Sequence, residues 1–140
     1  MSDDYYASYA ISHDTALKAV AAAIEEGGRQ GIAVTASVID PAGTLIAFAK
    51  ASGSAPDSEQ VSRRKAQAAV AAGRPSGWIP DEIAVTLPMA SGNFLTSLPG
   101  GCPLRYDGPL VGAIGISGGH PSDDAAIAAA VLKRIGAEEI

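Results

Sequence analysis

Few side chains in this 140-residue chain could do chemistry, and Lys65, Cys102 and His120 stand out by type and setting. Lys65 falls at helical spacing from Val61, Ala68, Ala69 and Ala72, so it shares a small-residue face. A lysine there must snorkel, find a carboxylate, or hold a ligand anion, and with a lowered pKa it could act as a base. Cys102 is the only cysteine and follows Gly100-Gly101. Sole cysteines are usually small buried hydrophobes. One partly exposed near Lys65 or Arg105 could instead be a thiolate nucleophile or an iron ligand. His120 stands just before a helix start, where the dipole favours a neutral ring able to ligate metal or accept a proton. A turn histidine in solvent is the plainer reading. His13 reads as a first-turn surface residue, and neither histidine has metal-ligand spacing, so no isolated metal ion is expected.

Around these residues lie weaker candidates. Arg74 and Arg105 could capture an anion with their planar forks or pair with a carboxylate. Phe94, Leu95 and Leu98 would supply an apolar wall, and Gly100 and Gly101 would let a ligand approach the backbone or simply bend it. Asp123 and Asp124 most simply stabilise the last helix. No Ser-His-Asp order, phosphate-binding loop, dinucleotide fingerprint or paired-acid motif occurs.

The elements that must position these side chains follow from periodicity. Ser12 reads as an N-cap, Leu17, Val20, Ala21 and Ile24 recur at helical spacing, and Gly27-Gly28 should stop the run. From residue 32 the period becomes two, with Ile32, Val34, Ala36 and Val38 on one face and Thr35 and Ser37 on the other. Asp40-Pro41-Ala42-Gly43 has turn chemistry, and residues 44–50 return as a second strand. Asp57, with Gln60 as in a capping box, opens a helix running to residue 72, with Val61, Ala68 and Ala72 looking inward and Gly73 ending it. Residues 78–85 suggest a short helix, and residues 86–103 an irregular segment. Strands at 104–106 and 109–117 flank the hairpin signal Asp107-Gly108. Pro121 opens a last helix ending near Gly136. The expected order is α-β-β-α-(α)-β-β-β-α: a single α/β domain of the α+β type, spanning residues 1–140, with about five antiparallel strands flanked by helices.

Composition narrows the partners. Hydrophobic residues make up 47% of the chain but aromatics only 5%, so packing should be close rather than bulky. A net charge of −5 argues against nucleic acid and gives no reason to dock on an anionic membrane. The apolar runs at 19–24 and 125–132 are too short to span a bilayer, and the acidic start Met1-Ser2-Asp3-Asp4 is wrong for a secretory leader. A lone cysteine allows no internal disulfide, and a cytoplasmic location is expected. Tyr5, Tyr6 and Tyr9 should lie on a subunit or domain surface.

Three motifs in this order resemble one known family. They are the hairpin from Val34 through Asp40-Pro41-Ala42-Gly43 to Ile46, and Lys65-Ala66-Gln67-Ala68-Ala69 followed by Gly73-Arg74-Pro75. The third runs from Leu98 through Gly100-Gly101-Cys102-Pro103 to Arg105, then from Gly112 to Gly118, then Asp123-Asp124 and an alanine-rich helix. Together they resemble the GlcG/HbpS family, which includes the C-terminal domain of PduO-type proteins, over residues 12–136. The resemblance implies a profilin-like fold, symmetric homo-oligomers from dimers to octamers, and haem or another tetrapyrrole as ligand in some members. Haem is the one cofactor it implies. Cys102 stands where an aliphatic residue is expected, and Asp124 where glutamate is more usual. A family predicts architecture better than chemistry, so three functions stay open. The first is a small-ligand-binding oligomer whose pocket draws on Lys65, Phe94, Leu98, Gly100, Gly101 and Arg105, with His120, Cys102 or His13 as an iron ligand. The second is a cofactor-independent isomerase, tautomerase or lyase moving a proton on a small organic acid or aromatic metabolite, through Lys65, Arg105, Cys102 and His120. The third is a scaffolding subunit without a ligand.

Overall fold

The computed structural model describes residues 3–140, so Met1 and Ser2 of the acidic start lie outside the described residues. Helix α1 (His13–Arg29) is capped by Ser12, whose Oγ accepts the Thr15 N–H at 3.2 Å. It does not stop at Gly27-Gly28. It closes two residues later on Gly31 (φ 72°), with Gly31 N–H bonding Gly28 O at 3.1 Å and Ile32 N–H bonding Gly27 O at 2.9 Å. That is a Schellman closure. Gly27 serves a different need: a Cβ there would meet Ile32 O at 2.8 Å and both Val34 methyls at 3.0 Å.

Strands β1 (Thr35–Ile39) and β2 (Leu45–Lys50) form the expected hairpin. In its turn Asp40 Oδ1 accepts the N–H groups of Ala42 at 2.9 Å and Thr44 at 3.0 Å. Helix α2 (Ser58–Ala72) ends at Gly73 (φ 65°) as its sequence suggests. Its start differs from the capping box, because Asp57 is already helical (φ −72°, ψ −16°) and its side chain caps nothing. A 3₁₀ turn (Asp81–Ile83) and a short helix α3 (Thr86–Ala90) follow. Strand β3 (Gly101–Arg105) begins three residues earlier than periodicity suggests, and Asp107 (φ 55°) and Gly108 (φ 106°) turn it into β4 (Leu110–Ser117). Helix α4 (Pro121–Ile135) closes on Gly136 (φ 73°).

The sheet is antiparallel with order β2-β1-β4-β3, so it has four strands rather than about five. The segment before β3 adds no strand, because residues 86–90 are helical and Gly92 and Asn93 hold φ of 66° and 64°. Pro103 is tolerated within β3 because β3 is an edge. That edge is covered. Gly101 O accepts the Ser76 N–H, Gly101 N–H donates to Ser76 Oγ, and Arg105 O accepts the Glu138 N–H. Strand β2, the other edge, has no such cover among the described residues.

Helices α1 and α4 pack on one face of the sheet and α2 on the other. The first face is apolar, with Val34, Val38, Leu104, Ile114, Ile116, Ile127 and Leu132 buried together. The second is built differently. Facing the sheet, α2 buries Ser58, Ser62, Lys65, Ala66 and Ala69, while Ala72 is exposed and Val61 half-buried. The inward stripe is therefore rotated from the one periodicity suggested. Buried hydroxyls carry no hydrophobic signal, and here they bond one another: Thr35 to Ser54 and Ser58 at 2.8 and 2.6 Å, and Ser37 to Ser62 at 2.7 Å.

Candidate functional site

Lys65 is 1% exposed, in the middle of α2. Its Nζ donates to Ile116 O and to Asp124 Oδ2, both at 2.8 Å. Asp124 is equally buried, and its Oδ1 accepts the Gly119 N–H at 3.0 Å. The pair thus ties α2 to the end of β4, to the turn after it and to the first turn of α4, whose dipole also favours a carboxylate. Burial pushes the Lys65 ammonium below its ordinary pKa, and Asp124 opposes that shift.

Gly100 and Gly101 exist for this packing. A Cβ on Gly100 (φ 129°) would stand 2.9 Å from Lys65 Nζ, and one on Gly101 would stand 2.0 Å from Lys65 O. Lys65, Gly100 and Gly101 are therefore brought together, as closed packing rather than around a wet cavity. Their sequence neighbours face elsewhere. Cys102 is buried in the α1/α4 face of the core, and burial alone pushes its thiol up to about 12. A thiol so protonated offers neither nucleophile nor iron ligand. Arg105 gives its fork to the carbonyls of Gly108 at 3.2 Å and Gly73 at 3.0 Å.

The remaining candidates are dispersed. His120 is the exposed N-cap of α4, its Nδ1 accepting the Ser122 N–H at 3.2 Å. His13 is exposed on the first turn of α1, 3.4 Å from Asp14. Leu98 and Phe94 are partly exposed, and Leu95 is buried against Ala68 and Ile79. Arg74 lies over the Trp78 ring at 5.4 Å. Among the described residues Lys65, Cys102, His120 and Arg105 do not converge on one pocket. Among the described residues no three His, Cys, Asp or Glu side chains gather as a metal site, and no helix is long and apolar enough to cross a membrane.

Two surface hollows matter for binding. One, of about 460 Å³, is lined by Tyr9, Ala10, Tyr106, Pro109 and Val111. The other, of about 340 Å³, lies between α2 and the 91–94 loop, with Gln60, Arg63, Arg64 and Gln67 on the helix side and Asn93 and Phe94 opposite. Sequence reasoning found Phe94 there but missed the arginines. Their signal was the adjacency of Arg63 and Arg64, flanked at helical spacing by Gln60 and Gln67.

Comparison with known proteins places the chain. The family model described as haem degrading protein HbpS-like matches residues 11–133. Protein GlcG of Escherichia coli strain K12 is 32% identical over 113 residues, covering 76% of this chain and 81% of GlcG. The crystal structure of a PduOC:heme complex superposes with a TM-score of 0.85 at 25% identity, covering 93% of this chain and 98% of that one. A double mutant of HbpS from Streptomyces reticuli gives 0.84 at 25% identity, covering 96% and 92%. This chain, four-stranded sheet and buried lysine included, belongs to the HbpS-like family.

Proposed function

We propose that this protein is an oligomeric small-ligand binder whose ligand is haem or a related tetrapyrrole. The observation that supports this most is family membership joined to the close structural likeness to a protein solved with heme. A bound haem supplies an iron that takes an axial donor and a broad apolar ring that must be covered. Cys102 does not fit the first need, being sealed and protonated. The exposed imidazoles do, and His13 has the better surroundings: Leu17, one turn on, is 55% exposed, and the Tyr9–Tyr106 hollow lies just upstream. Tyr106 is held in place there by donating its hydroxyl to Ile135 O at 3.0 Å.

A single protomer leaves this surface open, so a second copy completes it. Tyr5, Tyr6 and Tyr9 are 71%, 88% and 60% exposed, more aromatic surface than a lone small domain usually shows water. In this reading Lys65 and Asp124 are positioning residues that fix α4 against the sheet. Light scattering should give at least a dimer, and a monodisperse monomer would remove the oligomer. Haemin should bind stoichiometrically with a shifted Soret band. His13→Ala should change that band, with His120→Ala as the competing assignment, while Cys102→Ala should leave it unaltered. Loose haemin binding with identical spectra for both histidine variants sinks the reading.

A further inference from the structure

We propose that the cleft between α2 and the 91–94 loop is a second binding site, for a small aromatic carboxylate. The argument starts from charge. In this acidic chain the other arginines have partners. Arg29 pairs with Glu26, Arg134 with Glu25 and Glu26, Arg105 holds two carbonyls, and Arg74 covers Trp78. Among the arginines, only Arg63 and Arg64 make no ion pair, hydrogen bond or ring contact among the described residues, although they are adjacent and line the same concavity. Both cationic side chains line the hollow, so an anion held there meets two positive charges.

The opposite wall is already formed. Gln67 Nε2 donates to Phe94 O at 2.6 Å, Asn93 N–H to Pro88 O at 2.8 Å, and Leu95 N–H to Ser91 Oγ at 3.2 Å. Gly92 and Asn93 both hold positive φ, so the loop keeps a conformation that its internal bonds must maintain. A preformed wall lowers the ordering cost of binding. It presents the partly exposed Phe94 ring for stacking, with the amides of Gln60 and Asn93 beside it. No carboxylate lines this cleft. Glu59 lines the adjoining hollow, which shares Arg63, and makes no ion pair with it.

Planar forks match a carboxylate by paired hydrogen bonds, and the ring selects a flat, apolar body behind it. A volume of about 340 Å³ lies at the low end for ligand pockets, which suits a small acid rather than a macrocycle. The cleft is on the α2 face of the sheet, whereas His13 is on the α1 face, so this site stands independently of tetrapyrrole binding.

The test uses benzoate, benzamide and inorganic phosphate, followed by amide chemical shifts and calorimetry. Benzoate should bind saturably, one per chain, and shift the amides of residues 92–95. Benzamide, which lacks the charge, should bind at least tenfold more weakly, and so should benzoate to Arg63→Ala/Arg64→Ala. Arg63→Lys/Arg64→Lys should recover only part of the affinity, since charge returns without the fork. Neither arginine supports the fold through a partner, so both variants should melt like the parent, and haemin binding should be unchanged. Benzoate that fails to saturate, or binds the alanine variant equally, overturns the site. Phosphate binding more tightly than benzoate overturns the assignment to aromatic carboxylates.

Discussion

The two faces of the sheet hold their helices by different physics. Toward α1 and α4 the sheet presents branched aliphatic side chains, and the layers are kept apart by their bulk. Adhesion there is area removed from water, at about 25 cal/mol per Å² of apolar surface. Toward α2 the sheet presents Ile39, Ala113 and the hydroxyls of Thr35 and Ser37, and glycine where the helix comes closest. Gly101 and Gly115 are register partners across β3 and β4, and a Cβ on either would strike the backbone of α2, at Lys65 O or Ser62 O. The helix lies nearly backbone to backbone on the strands, steadied by paired hydroxyls and one buried ion pair. The bulky face depends on what is there; the close face depends on what is missing.

The sharpest way to break that contrast is to add one carbon to the close face. In Gly115→Ala the new Cβ would lie 1.8 Å from Ser62 O, with Ala66 N at 2.7 Å. Neither neighbour is a flexible side chain, so α2 must lift from the sheet. Overpacking usually costs about 1–3 kcal/mol and more where relief is blocked, so a loss above about 3 kcal/mol, or failure to fold, is expected. Leu132→Ala on the other face removes three carbons and should cost about 2–5 kcal/mol. Urea unfolding of both variants checks the ordering. A Gly115→Ala protein of parental stability would show that the close packing is dispensable.

Next in size is the ion pair. Lys65→Met strands the Asp124 carboxylate with only Gly119 N–H and the helix dipole, and Asp124→Asn leaves the buried ammonium without a counter-charge. Breaking a buried pair from one side costs about 3–5 kcal/mol, whereas replacing both partners by apolar residues is often neutral. Lys65→Met/Asp124→Leu should therefore recover most of what either single variant loses. The pH dependence has a definite sign. Burial lowers the Lys65 pKa below its ordinary 10.5, so the unfolded chain keeps that proton to higher pH than the native one. Stability from this group should rise as pH climbs from the lowered value towards 10.5, and Lys65→Met should lack that slope. Urea midpoints at successive pH values up to 10.5 measure it. A parental protein that weakens over that range through this residue contradicts the assignment.

The contrast also explains what could be read in advance. Apolar period two in residues 34–38, turn chemistry at Asp40 and Asp107, and the closing glycines Gly73 and Gly136 are local signals, and the structure keeps all of them. The bulky face was legible because hydrophobicity announces it. The close face was not. Ser58 and Ser62 carry no core signal until partner hydroxyls 23 and 25 positions away come within 3 Å. Lys65 declared that something must neutralise it, but its partner is 59 residues distant, and spacing along a chain carries no such distance. The Arg63–Arg64 cleft needed the fold of the 91–94 loop, which its positive φ angles and the bond from Gln67 to Phe94 O set.

The smallest expected effect sharpens the contrast most finely, because it concerns a single proton. Ser37 Oγ and Ser62 Oγ lie 2.7 Å apart, both fully buried. Ser62 Oγ also donates to Glu59 O at 2.9 Å, so its hydrogen is engaged and Ser37 must be the donor of the shared bond. The two deletions are then unequal. Ser37→Ala removes a donor and leaves Ser62 still bonded within its helix, a loss of about 0.5–1.5 kcal/mol. Ser62→Ala takes away the acceptor and leaves the Ser37 hydroxyl buried without a partner, at about 1–3 kcal/mol. The double variant should lose less than the sum, since its second substitution strands nothing. Denaturant midpoints for the three proteins decide it. Equal single losses that simply add would mean the hydroxyls sit together without depending on each other, and that closeness alone holds α2 in place.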